Sequence, residues 1–401
     1  MAGTKTQEMP ERADGSFLSV LGSLRVPQIL EAARGATREE ALEALGTTPL
    51  SLEGAAAVLA TPREEILDDL LVRSHAQTES VFHRTLLMFA PCYLSSFCVN
   101  GCAYCAYNFH EAPARRWISP PKAGEVIAAL AGRGFRRVVL VAGEYPTATT
   151  PSYIAESVAE ARRSVHEVDL AVGAASESAY RTWRIAGAEG VTCFQETYDR
   201  AVYGRVHTSG PKSHFDRRLD TLDRAGRAGM TRLGLGILLG LGDSASDLLF
   251  LIAHAQHLRN RFPAARLTVA MPRLASSVTD MGRGGRPVED EELLRLLAVV
   301  RLSLPDAGLV AFPREPEWLR SRMLTAGVTH MTADAGLAHA GAYVECQHDG
   351  GVFDVQDPRS DLELKWDLED MGYMVRRDDA PAAAALAAAP SRPADPTPPR
   401  L

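Results

Sequence analysis

Eight short runs of apolar and β-branched residues recur through the middle of the chain, and most of them are followed by a stretch with helical periodicity. Such alternation of strand and helix predicts a parallel sheet, and eight units predict a closed barrel. We therefore expect an α/β fold of the (β/α)8, TIM-barrel type. The eight runs are LLMFAPCYL, RVVLVAG, VDLAVGAA, VTCFQETY, LGLGILLGLGD, RLTVAMPRL, LVAFPRE and THMTADA.

The two ends of the chain differ in pattern from this middle. Residues 1–78 contain segments such as VPQILEAARG and SLEGAAAVLA, whose apolar residues are spaced as on one face of a helix, and they predict an N-terminal helical extension. Residues 379–401 are rich in Ala and Pro and lack aromatic side chains, which predicts a disordered tail because this stretch cannot bury enough apolar surface. The barrel is expected over residues 79–378.

Composition and charge narrow the class of partner. The 401 residues are 46% hydrophobic and 23% charged, as in an ordinary globular protein, and carry a formal net charge of -7. No run of Lys and Arg is dense enough to attract nucleic acid or an anionic membrane, so a small-molecule substrate is expected. The N-terminal residues lack the apolar core of a signal peptide, and nowhere do about 18 apolar residues follow one another, which predicts a cytoplasmic protein.

Polar and glycine-rich residues gather where the predicted strands end. In a barrel of parallel strands these ends form one face, and active sites lie on that face. Residues far apart in sequence are therefore expected to converge at one mouth: Cys98, Glu144, Gln195, Glu196, Arg273, Arg314 and Thr332.

Three of the six cysteines follow the first predicted strand with C-x3-C-x2-C spacing, in FAPCYLSSFCVNGCAYCAYN. Thiolates from Cys98, Cys102 and Cys105 can hold three irons of a 4Fe-4S cubane and leave the fourth iron open to bind a cofactor or substrate. A structural zinc site is the alternative, but it normally takes four ligands, often as two close pairs, and a second pair is absent. The spacing therefore favours a cluster with one open iron.

The other three cysteines are not assigned to this cluster. Cys92 lies within the first predicted strand, and both Cys92 and Cys193 are expected to be buried as small hydrophobic residues. Cys346, near His348 in ECQHDGG, is either a metal ligand or an ordinary loop residue. The crowding of cysteines in one short stretch of a long chain favours metal or redox chemistry over a disulfide framework.

The cysteine spacing after the first strand resembles that of the radical S-adenosylmethionine (SAM) superfamily, in which the open iron chelates the amine and carboxylate of SAM. Two further segments, CFQETYDRAVYGRVHTSGPKSHFDRRLDT and LGLGILLGLGD, resemble its aromatic amino acid lyase branch. That branch contains the 2-iminoacetate synthase of thiamine biosynthesis, the tyrosine lyase of FeFe-hydrogenase maturation and the tryptophan lyase that makes 3-methyl-2-indolic acid. The resemblance covers roughly residues 60–375 and implies a radical SAM barrel with two cofactors, one 4Fe-4S cluster and SAM.

The resemblance implies a set of SAM contacts on the first two strands. Tyr104 would pack on the adenine side. Gly143 and Glu144 in VAGEYP match a Gly-Glu pair that accepts a hydrogen bond from the SAM amine, a task that suits a carboxylate. The alternative is that Glu144 is a solvated loop residue.

Further SAM contacts are implied on the fourth and fifth strands. Gln195 and Glu196 match a Gln-Glu pair at the end of strand four, and Arg218, with Arg217 as the alternative, would hold the SAM carboxylate. Gly240 would let the backbone approach the adenosine closely, although this glycine equally suits barrel packing alone.

For the substrate, the resemblance implies contacts at the first, seventh and eighth strands. Arg314 in FPREPEW matches an arginine that clamps the carboxylate of the amino acid, because the guanidinium fork fits that group with two hydrogen bonds. Tyr93 matches an aromatic hydroxyl beside the substrate amine, and Thr332 keeps a hydroxyl near a family serine. The alternative is that Arg314 and Glu315 form a structural ion pair.

The chain also departs from the family pattern. Residues 272–275 read Pro-Arg-Leu-Ala where the pattern is Pro-Arg-Leu-Arg, and residues 332–335 read Thr-Ala-Asp-Ala where it is Ser-Ala-Gly-Ser. The extra acid, Asp334, would favour a cationic or donor substrate if it faces inward. The tail has no cysteine, so the second cluster of the hydrogenase-maturation lyase is expected to be missing.

The reaction implied by the resemblance begins with reductive cleavage of SAM. The adenosyl radical would take a hydrogen atom from the amine of an aromatic L-amino acid, after which a carbon–carbon bond breaks; tyrosine would give dehydroglycine and 4-cresol. An electron donor such as ferredoxin or flavodoxin is implied. Two alternatives stay open, a radical SAM mutase or ligand-biosynthesis enzyme acting on another amine, and a non-catalytic iron–sulfur protein.

Overall fold

The computed structural model of the chain describes residues 15–105, 107–109, 115–274, 285–332 and 355–378. Eight parallel strands form a closed barrel, in which each strand pairs with the next and both the second and the eighth pair with the first. Each strand overlaps one of the eight predicted runs, so the predicted barrel is confirmed. The strands are β1 Thr85–Ser95, β2 Arg137–Ala142, β3 Glu167–Ala171, β4 Gly190–Thr192, β5 Arg232–Gly236, β6 Arg266–Ala270, β7 Gly308–Ala311 and β8 His330–Thr332.

Alternation along each strand sends one set of side chains into the barrel and the other set against the helices. On β2, Val138 and Leu140 are fully buried in the main core, whereas Val139 and Val141 line the interior cavity. Tyr93 on β1 pairs in register with Val141. Apolar residues on both faces of a strand explain why the sequence shows continuous apolar runs rather than a polar alternation.

Helices cover the outside of the barrel. Several begin at a residue whose side chain caps the first turn, such as Thr150, which accepts from the Tyr153 backbone N–H, and Ser176, which accepts from that of Ala179. A 3-10 turn over Pro211–Ser213 lies between the helix that ends at Val206 and the helix that begins at Phe215. These helices are α6 Pro120–Gly132, α7 Pro151–Ala161, α8 Glu177–Ala186, α9 Arg200–Val206, α10 Phe215–Leu219, α11 Thr221–Arg227, α12 Ser244–Arg261, α13 Asp290–Ser303 and α14 Glu317–Met323.

The N-terminal residues form helices, as predicted, and the last of these packs along α13. Phe17 holds the first helix on the barrel: its ring stacks on His254 with centroids 4.1 Å apart, and its backbone N–H donates to the buried carboxylate of Asp223 at 3.0 Å. The last helix ends at Phe82, and the predicted boundary at residue 78 stays a prediction. The helices are α1 Phe17–Leu21, α2 Val26–Ala32, α3 Arg38–Ala44, α4 Leu52–Ala60 and α5 Arg63–Phe82.

A ninth strand, β9 Met374–Arg376, follows helix α15 Asp361–Asp370 and pairs in parallel with the start of β1. It extends the sheet at the N-terminal end of the barrel, where the Arg136 backbone N–H also donates to the Arg377 carbonyl at 2.9 Å. The sequence analysis does not predict this strand, because a three-residue segment at a sheet edge shows no strand periodicity.

Some predictions lie outside the described residues: the disordered tail over 379–401, the position of Asp334 and the role of Cys346. Within the described ranges, no helix has both the length and the apolar composition needed to cross a lipid bilayer.

Candidate active site at the mouth of the barrel

The cysteine loop leaves the C-terminal end of β1 and is fastened on two sides by backbone hydrogen bonds. The Val99 N–H donates to the Glu144 carbonyl at 2.9 Å, which ties the loop to the end of β2. The Gly101 N–H donates to Ser209 at 3.1 Å and the Ala103 N–H to Val206 at 2.8 Å, which ties it to the segment after α9. The loop geometry is thus set by main-chain contacts independent of any ligand.

The thiols of Cys98, Cys102 and Cys105 are close enough to act on one another electrostatically. Burial raises the pKa of Cys102, and the charge of Cys98 raises it further. Burial raises the pKa of Cys105 to about 12, with a second contribution from Cys102. The two thiols with raised pKa values, Cys102 and Cys105, need a cationic group to become thiolates, and the irons of a cluster would supply that charge.

The same cysteines do not form a site for a single metal ion. Within the described ranges, no three His, Cys, Asp or Glu side chains approach closely enough to hold one ion. Thiolates around one zinc, each with a Zn–S bond of about 2.3 Å, would lie within about 4 Å of one another. A cubane holds its thiolates on separate corners, so three cysteines fit a 4Fe-4S cluster with one open iron.

Glu144, at the end of β2, is held by a residue of the cysteine loop. The Asn100 side-chain amide donates to Glu144 Oε2 at 2.9 Å and lies 3.5 Å from the Cys98 sulfur. Gly143 lets the cysteine loop approach the end of β2 closely, because a Cβ there would overlap the Phe97 carbonyl oxygen and lie 3.1 Å from Cys98 Cβ. The carboxylate of Glu144 is therefore fixed next to the first cysteine of the motif.

Glu196 belongs to a second group of polar side chains at the mouth of the barrel. Its backbone adopts a left-handed conformation, with φ at 72°, which few non-glycine residues do. Its carboxylate accepts a hydrogen bond from Lys212 Nζ at 2.6 Å and lies 3.7 Å from an Arg218 nitrogen, while Arg218 Nε donates to the Phe194 carbonyl at 2.7 Å. Burial and the charge of Arg218 lower the pKa of Lys212, but the charge and hydrogen bond of Glu196 help to raise it above its ordinary value, so Lys212 is a cation.

Tyr104 is buried against His207, the residue that follows α9. Its hydroxyl lies 2.7 Å from His207 Nε2, and His207 Nδ1 lies 2.9 Å from the Tyr203 carbonyl. Since a carbonyl only accepts, the imidazole proton is on Nδ1 and the Tyr104 hydroxyl donates to Nε2. Burial, together with Lys212 and Arg218, lowers the pKa of His207 to about 2, so the ring is neutral. Tyr104 is thus held in one orientation.

Gln195 and Gly240 are the two other residues predicted to contact SAM. Both polar atoms of the Gln195 side chain are buried without a hydrogen-bond partner among the described residues. Gly240 has a φ of 98°, and a Cβ there would overlap the Arg286 carbonyl oxygen, so barrel packing by itself accounts for this glycine. Their proposed contacts with SAM stay predictions.

The barrel interior contains a cavity of about 290 Å³, mostly lined by apolar side chains. Three of the predicted substrate residues, Tyr93, Arg314 and Thr332, line it. The Thr332 hydroxyl oxygen is buried and has no hydrogen-bond partner in the described part of the chain. The apolar walls are formed chiefly by Phe89, Val139, Val141, Phe194, Val310 and Phe312.

The alternative role of Arg314 is an ion pair with Glu315, but the Glu315 carboxylate pairs with a different arginine. That carboxylate binds Arg273, whose Nε donates to it at 3.1 Å, and Arg273 also donates to Asp290 at 2.8 Å. Arg314 donates to the Arg273 carbonyl at 3.3 Å. Arg273 thus organises the rim, and Arg314 lies on the cavity wall.

Sequence reasoning missed three residues that hold the mouth together: Asn100, His207 and Lys212. The signal for Asn100 was its place between Cys98 and Cys102, and the other two residues lie in the HTSGPKS segment that carries part of the resemblance. The Lys212 backbone N–H donates to Asn100 Oδ1 at 2.9 Å, so these residues connect the contacts of Glu144 and Glu196.

Two family models match this chain. The model described as "Radical SAM superfamily" matches residues 92–255, and the one described as "Biotin and Thiamin Synthesis associated domain" matches residues 263–374. The first match includes the cysteine loop and strands β2 to β5, and the second includes β6 to β8. The cofactors of radical SAM proteins, a 4Fe-4S cluster and SAM, agree with the donor set of the loop.

Several individual proteins are similar to this chain over most of their length. The 2-iminoacetate synthase of Escherichia coli (strain K12) is 28% identical over 300 residues, which cover 75% of this chain and 79% of that protein. The 3-methylornithine synthase of Methanosarcina acetivorans is 25% identical over 259 residues, or 64% and 71% of the two chains. The structure of the FeFe-hydrogenase maturase HydG from Carboxydothermus hydrogenoformans matches with a TM-score of 0.81 at 28% identity, covering 90% of this chain and 85% of HydG.

Proposed function

We propose that this chain, which carries a radical SAM domain followed by a Biotin and Thiamin Synthesis associated domain, is a carbon–carbon lyase that fragments an aromatic L-amino acid. The observation that carries the proposal is the cavity: it lies inside the barrel, is apolar and aromatic along its walls, and has Arg314 and Tyr93 among its lining residues. Such a space suits a ring at one end and a charged amino acid backbone at the other.

The cysteine loop and its neighbours would hold the cofactors. Cys98, Cys102 and Cys105 would bind three irons, and the cluster with SAM supplies a 5'-deoxyadenosyl radical that takes a hydrogen atom. Glu144, fixed by Asn100, would accept a hydrogen bond from the SAM amine. These assignments rest on the residues and contacts described above.

Further residues would hold the other parts of SAM. Arg218 would pair with its carboxylate, and Tyr104 would pack beside the adenine. Glu196, with Gln195 next to it, would accept hydrogen bonds from the ribose hydroxyls. The amine of Lys212 lies 5.5 Å from the Tyr104 ring centre, so it braces this ring and Glu196 together.

The substrate would be oriented by three residues of the cavity wall. The guanidinium of Arg314 would bind the amino acid carboxylate through two hydrogen bonds. The hydroxyls of Tyr93 and Thr332 would contact the amine from which hydrogen is taken, and the free acceptor capacity of the Thr332 oxygen supports that role. The apolar walls would exclude water, which protects a radical from side reactions.

A second candidate is a radical SAM mutase or ligand-biosynthesis enzyme acting on another amine. Two observations favour keeping it: the departures from the family pattern after strands six and eight, and the similarity to a 3-methylornithine synthase. A mutase would give an isomerised product of unchanged mass, whereas a lyase gives two fragments.

The test is anaerobic SAM cleavage by the reconstituted holoenzyme with dithionite, in the presence of tyrosine, tryptophan or phenylalanine, with products identified by mass spectrometry. We expect 5'-deoxyadenosine formation to rise with one aromatic amino acid and fragments of that amino acid to appear. A rate that none of the three raises above the no-substrate rate would contradict the proposal.

The matched variants are Arg314→Gln and Arg322→Gln. Arg314→Gln should raise the KM for the amino acid on the order of 10- to 100-fold, because a charge-assisted pair with its carboxylate is lost. Arg322, exposed on α14, serves as the control and its variant should behave like the wild type. Cleavage of SAM would require a reductant. That a ferredoxin or flavodoxin donates the electron stays a prediction, and so does the cytoplasmic location.

A further inference from the structure

The side chain of Asn100 contacts three parts of the mouth at once. Its Oδ1 accepts from the Lys212 backbone N–H at 2.9 Å, and its Nδ2 donates to Glu144 Oε2 at 2.9 Å. The same nitrogen lies 3.5 Å from the Cys98 sulfur, a longer contact because sulfur is larger than oxygen. Asn100 is buried, so these hydrogen bonds are made away from solvent.

The partners of this amide fix its orientation. The Lys212 backbone N–H can only donate, so the amide atom that faces it is the oxygen. The ionised Glu144 carboxylate can only accept, so the amide atom that faces it is the nitrogen. An amide turned the other way would place donor against donor on one side and acceptor against acceptor on the other. One N–H is therefore directed at Glu144 and the other at the Cys98 sulfur.

Backbone contacts hold Asn100 in this position. The Phe109 backbone N–H donates to the Asn100 carbonyl at 2.9 Å. On the opposite side, a Cβ on Gly210 would overlap Asn100 Oδ1 and lie 2.8 Å from its Cα. Glycine at this position lets the segment after α9 approach the amide closely, so Asn100 is packed on both sides.

The carboxylate of Glu144 is confined between Asn100 and the residue after the end of β3. A Cβ on Gly173 would lie 2.6 Å from Glu144 Cδ and 2.9 Å from its Oε1, so the carboxylate fills the space that a side chain there would take. Among the described residues, Asn100 is the one side chain that donates a hydrogen bond to this carboxylate. The direction in which Glu144 points therefore depends on the amide.

Cys98 differs from Cys105 in the kind of donor near its sulfur. The Cys105 sulfur is contacted by the Tyr107 backbone N–H, whereas the donor to Cys98 is a side chain. A cysteine that binds iron does so as the thiolate. The contact from Asn100 then becomes a charge-assisted hydrogen bond, which is stronger than one to a neutral group.

Asparagine is the residue type that fits between these two groups. With iron bound, the Cys98 thiolate and the Glu144 carboxylate are both anions, and the two N–H groups of one nitrogen can donate to both. Leucine has a similar branched shape but no donor, and aspartate would add a third negative charge. Glutamine would carry its amide one methylene further from the backbone.

We propose that Asn100 is a positioning residue for both cofactors: one N–H of its amide raises the reduction potential of the cluster through the Cys98 sulfur, and the other orients Glu144 toward the SAM amine. Hydrogen bonds to the ligating sulfurs help to set the potentials of such clusters, because a donor stabilises the more negative, reduced state. This inference rests on the assignments of Cys98 and Glu144 under the proposed function, and it is independent of which substrate is bound.

The first test is an anaerobic redox titration of the reconstituted holoprotein without SAM, followed by electron paramagnetic resonance. Asn100→Leu should lower the midpoint potential by about 59 mV, which is a tenfold fall in the equilibrium constant for one-electron reduction. Asn100→Asp keeps an acceptor for the Lys212 N–H and should lower the potential at least as much, so it supplies the measurement if Asn100→Leu does not hold its iron. Asn108→Leu is the matched control, because Asn108 is buried in the same loop and donates to the Cys105 carbonyl at 2.9 Å. Its potential should equal that of the wild type.

The second test is SAM affinity, measured on the same proteins by equilibrium dialysis. Asn100→Leu should weaken SAM binding about 10-fold, because Glu144 loses its donor. Glu144→Gln should weaken it to a similar extent, and the double variant should lose little more, since either change alone already disables the Glu144 contact. The two single variants should differ in potential: Glu144→Gln removes a negative charge beside the cluster and should raise the potential, whereas Asn100→Leu lowers it.

The sign of the shift separates this inference from a purely structural role. A loop opened to water would raise the potential, because water also stabilises the reduced state, so a rise in Asn100→Leu and Asn100→Asp would overturn the inference, as would no change. An equal fall in Asn108→Leu would mean that the potential reports loop packing instead of the N–H···S bond. All of these outcomes leave the lyase reaction standing. A wild-type cluster whose signal does not respond to SAM would instead contradict the proposed function.

Discussion

Buried ionic groups lie at both ends of the barrel interior, but they are held in different ways. At the N-terminal end, Asp169 accepts from Arg137 Nε at 2.8 Å and from Arg232 Nε at 2.9 Å, and all three residues belong to strands. At the mouth, Lys212 and Glu196 lie on loops and share one short hydrogen bond. The first arrangement uses most of its hydrogen-bonding capacity on protein, and the second keeps capacity for a ligand.

This difference distinguishes charged residues that stabilise the barrel from charged residues that are available to bind a ligand. Burial raises the pKa of Asp169, but the guanidinium groups of Arg137 and Arg232 outweigh it, so that its pKa lies below the ordinary value. The group is ionised whether or not a ligand is present. At the mouth, the network formed by Asn100, Glu144, Glu196, Lys212 and Arg218 surrounds the place where a charged cofactor is proposed to bind.

The largest effect is expected at the N-terminal end. Asp169→Asn should lower the free energy of unfolding by about 3–5 kcal/mol, since it leaves two buried guanidinium groups without their shared carboxylate. Equilibrium urea unfolding of the apoprotein measures this. Glu160→Gln, which breaks an exposed pair with Arg163, is the control and should cost less than about 1 kcal/mol. A similar small loss for both variants would mean that the inner network is not structural.

A comparable effect, visible as a pH dependence, is expected from Asp247 at the start of α12. Burial raises the pKa of this carboxyl to about 7, although the Tyr198 N–H and the Thr197 hydroxyl oppose the shift. Between pH 4 and 7 the folded state keeps a proton that the unfolded state has lost. Stability should therefore fall by about 4 kcal/mol as the pH rises across that window and then level off.

The variant that checks this is Asp247→Asn, which cannot ionise and still offers an oxygen to the same two donors. Urea unfolding at pH 4.5, 6 and 7.5 should show a decline for the wild type and a flatter profile for the variant. Parallel profiles for the two proteins would show that Asp247 has an ordinary pKa.

The sequence predicted the eight strands because both faces of each are buried, which gives apolar runs that end at polar residues. It also predicted the cysteine loop, because the spacing of three thiols is itself the chemical signal. Residues whose role depends on backbone geometry escaped prediction. Gly210, with φ at 81°, turns the chain so that the Lys212 N–H reaches Asn100. No periodicity in the sequence reports such a turn.

The neighbourhood of two cavity-lining hydroxyls, those of Thr192 on β4 and Thr268 on β6, which flank Gly234 on β5, escaped prediction for a related reason. Alternation along β4 and β6 predicts that Thr192 and Thr268 share a face of their strands, but not that they lie on either side of the same glycine. That follows only from the register of three neighbouring strands. A shift of one residue in either pairing would turn one hydroxyl away from Gly234.

The smallest effect on stability, and the sharpest test of the comparison, is expected from Lys212→Met. Like Asp169→Asn, it removes one partner of a buried ion pair, but Arg218 remains 3.7 Å from Glu196 to offset the carboxylate charge. The free energy of unfolding should therefore fall by less than about 2 kcal/mol, a smaller loss than that of Asp169→Asn. SAM affinity should fall about 10-fold, because Glu196 is no longer oriented. Lys365→Met, which breaks an exposed pair with Glu369, is the control.

Anaerobic equilibrium dialysis of SAM against protein of verified iron content measures that affinity. If Glu196 acts through its contact with Lys212, Glu196→Gln should weaken SAM binding to a similar extent, and the double variant should lose little more than either single one, because both changes remove the same oriented carboxylate. Additive losses would mean that the two residues contact SAM independently. Loss of folding stability as large as that of Asp169→Asn, with SAM affinity intact, would make the mouth pair structural and remove the distinction between the two ends.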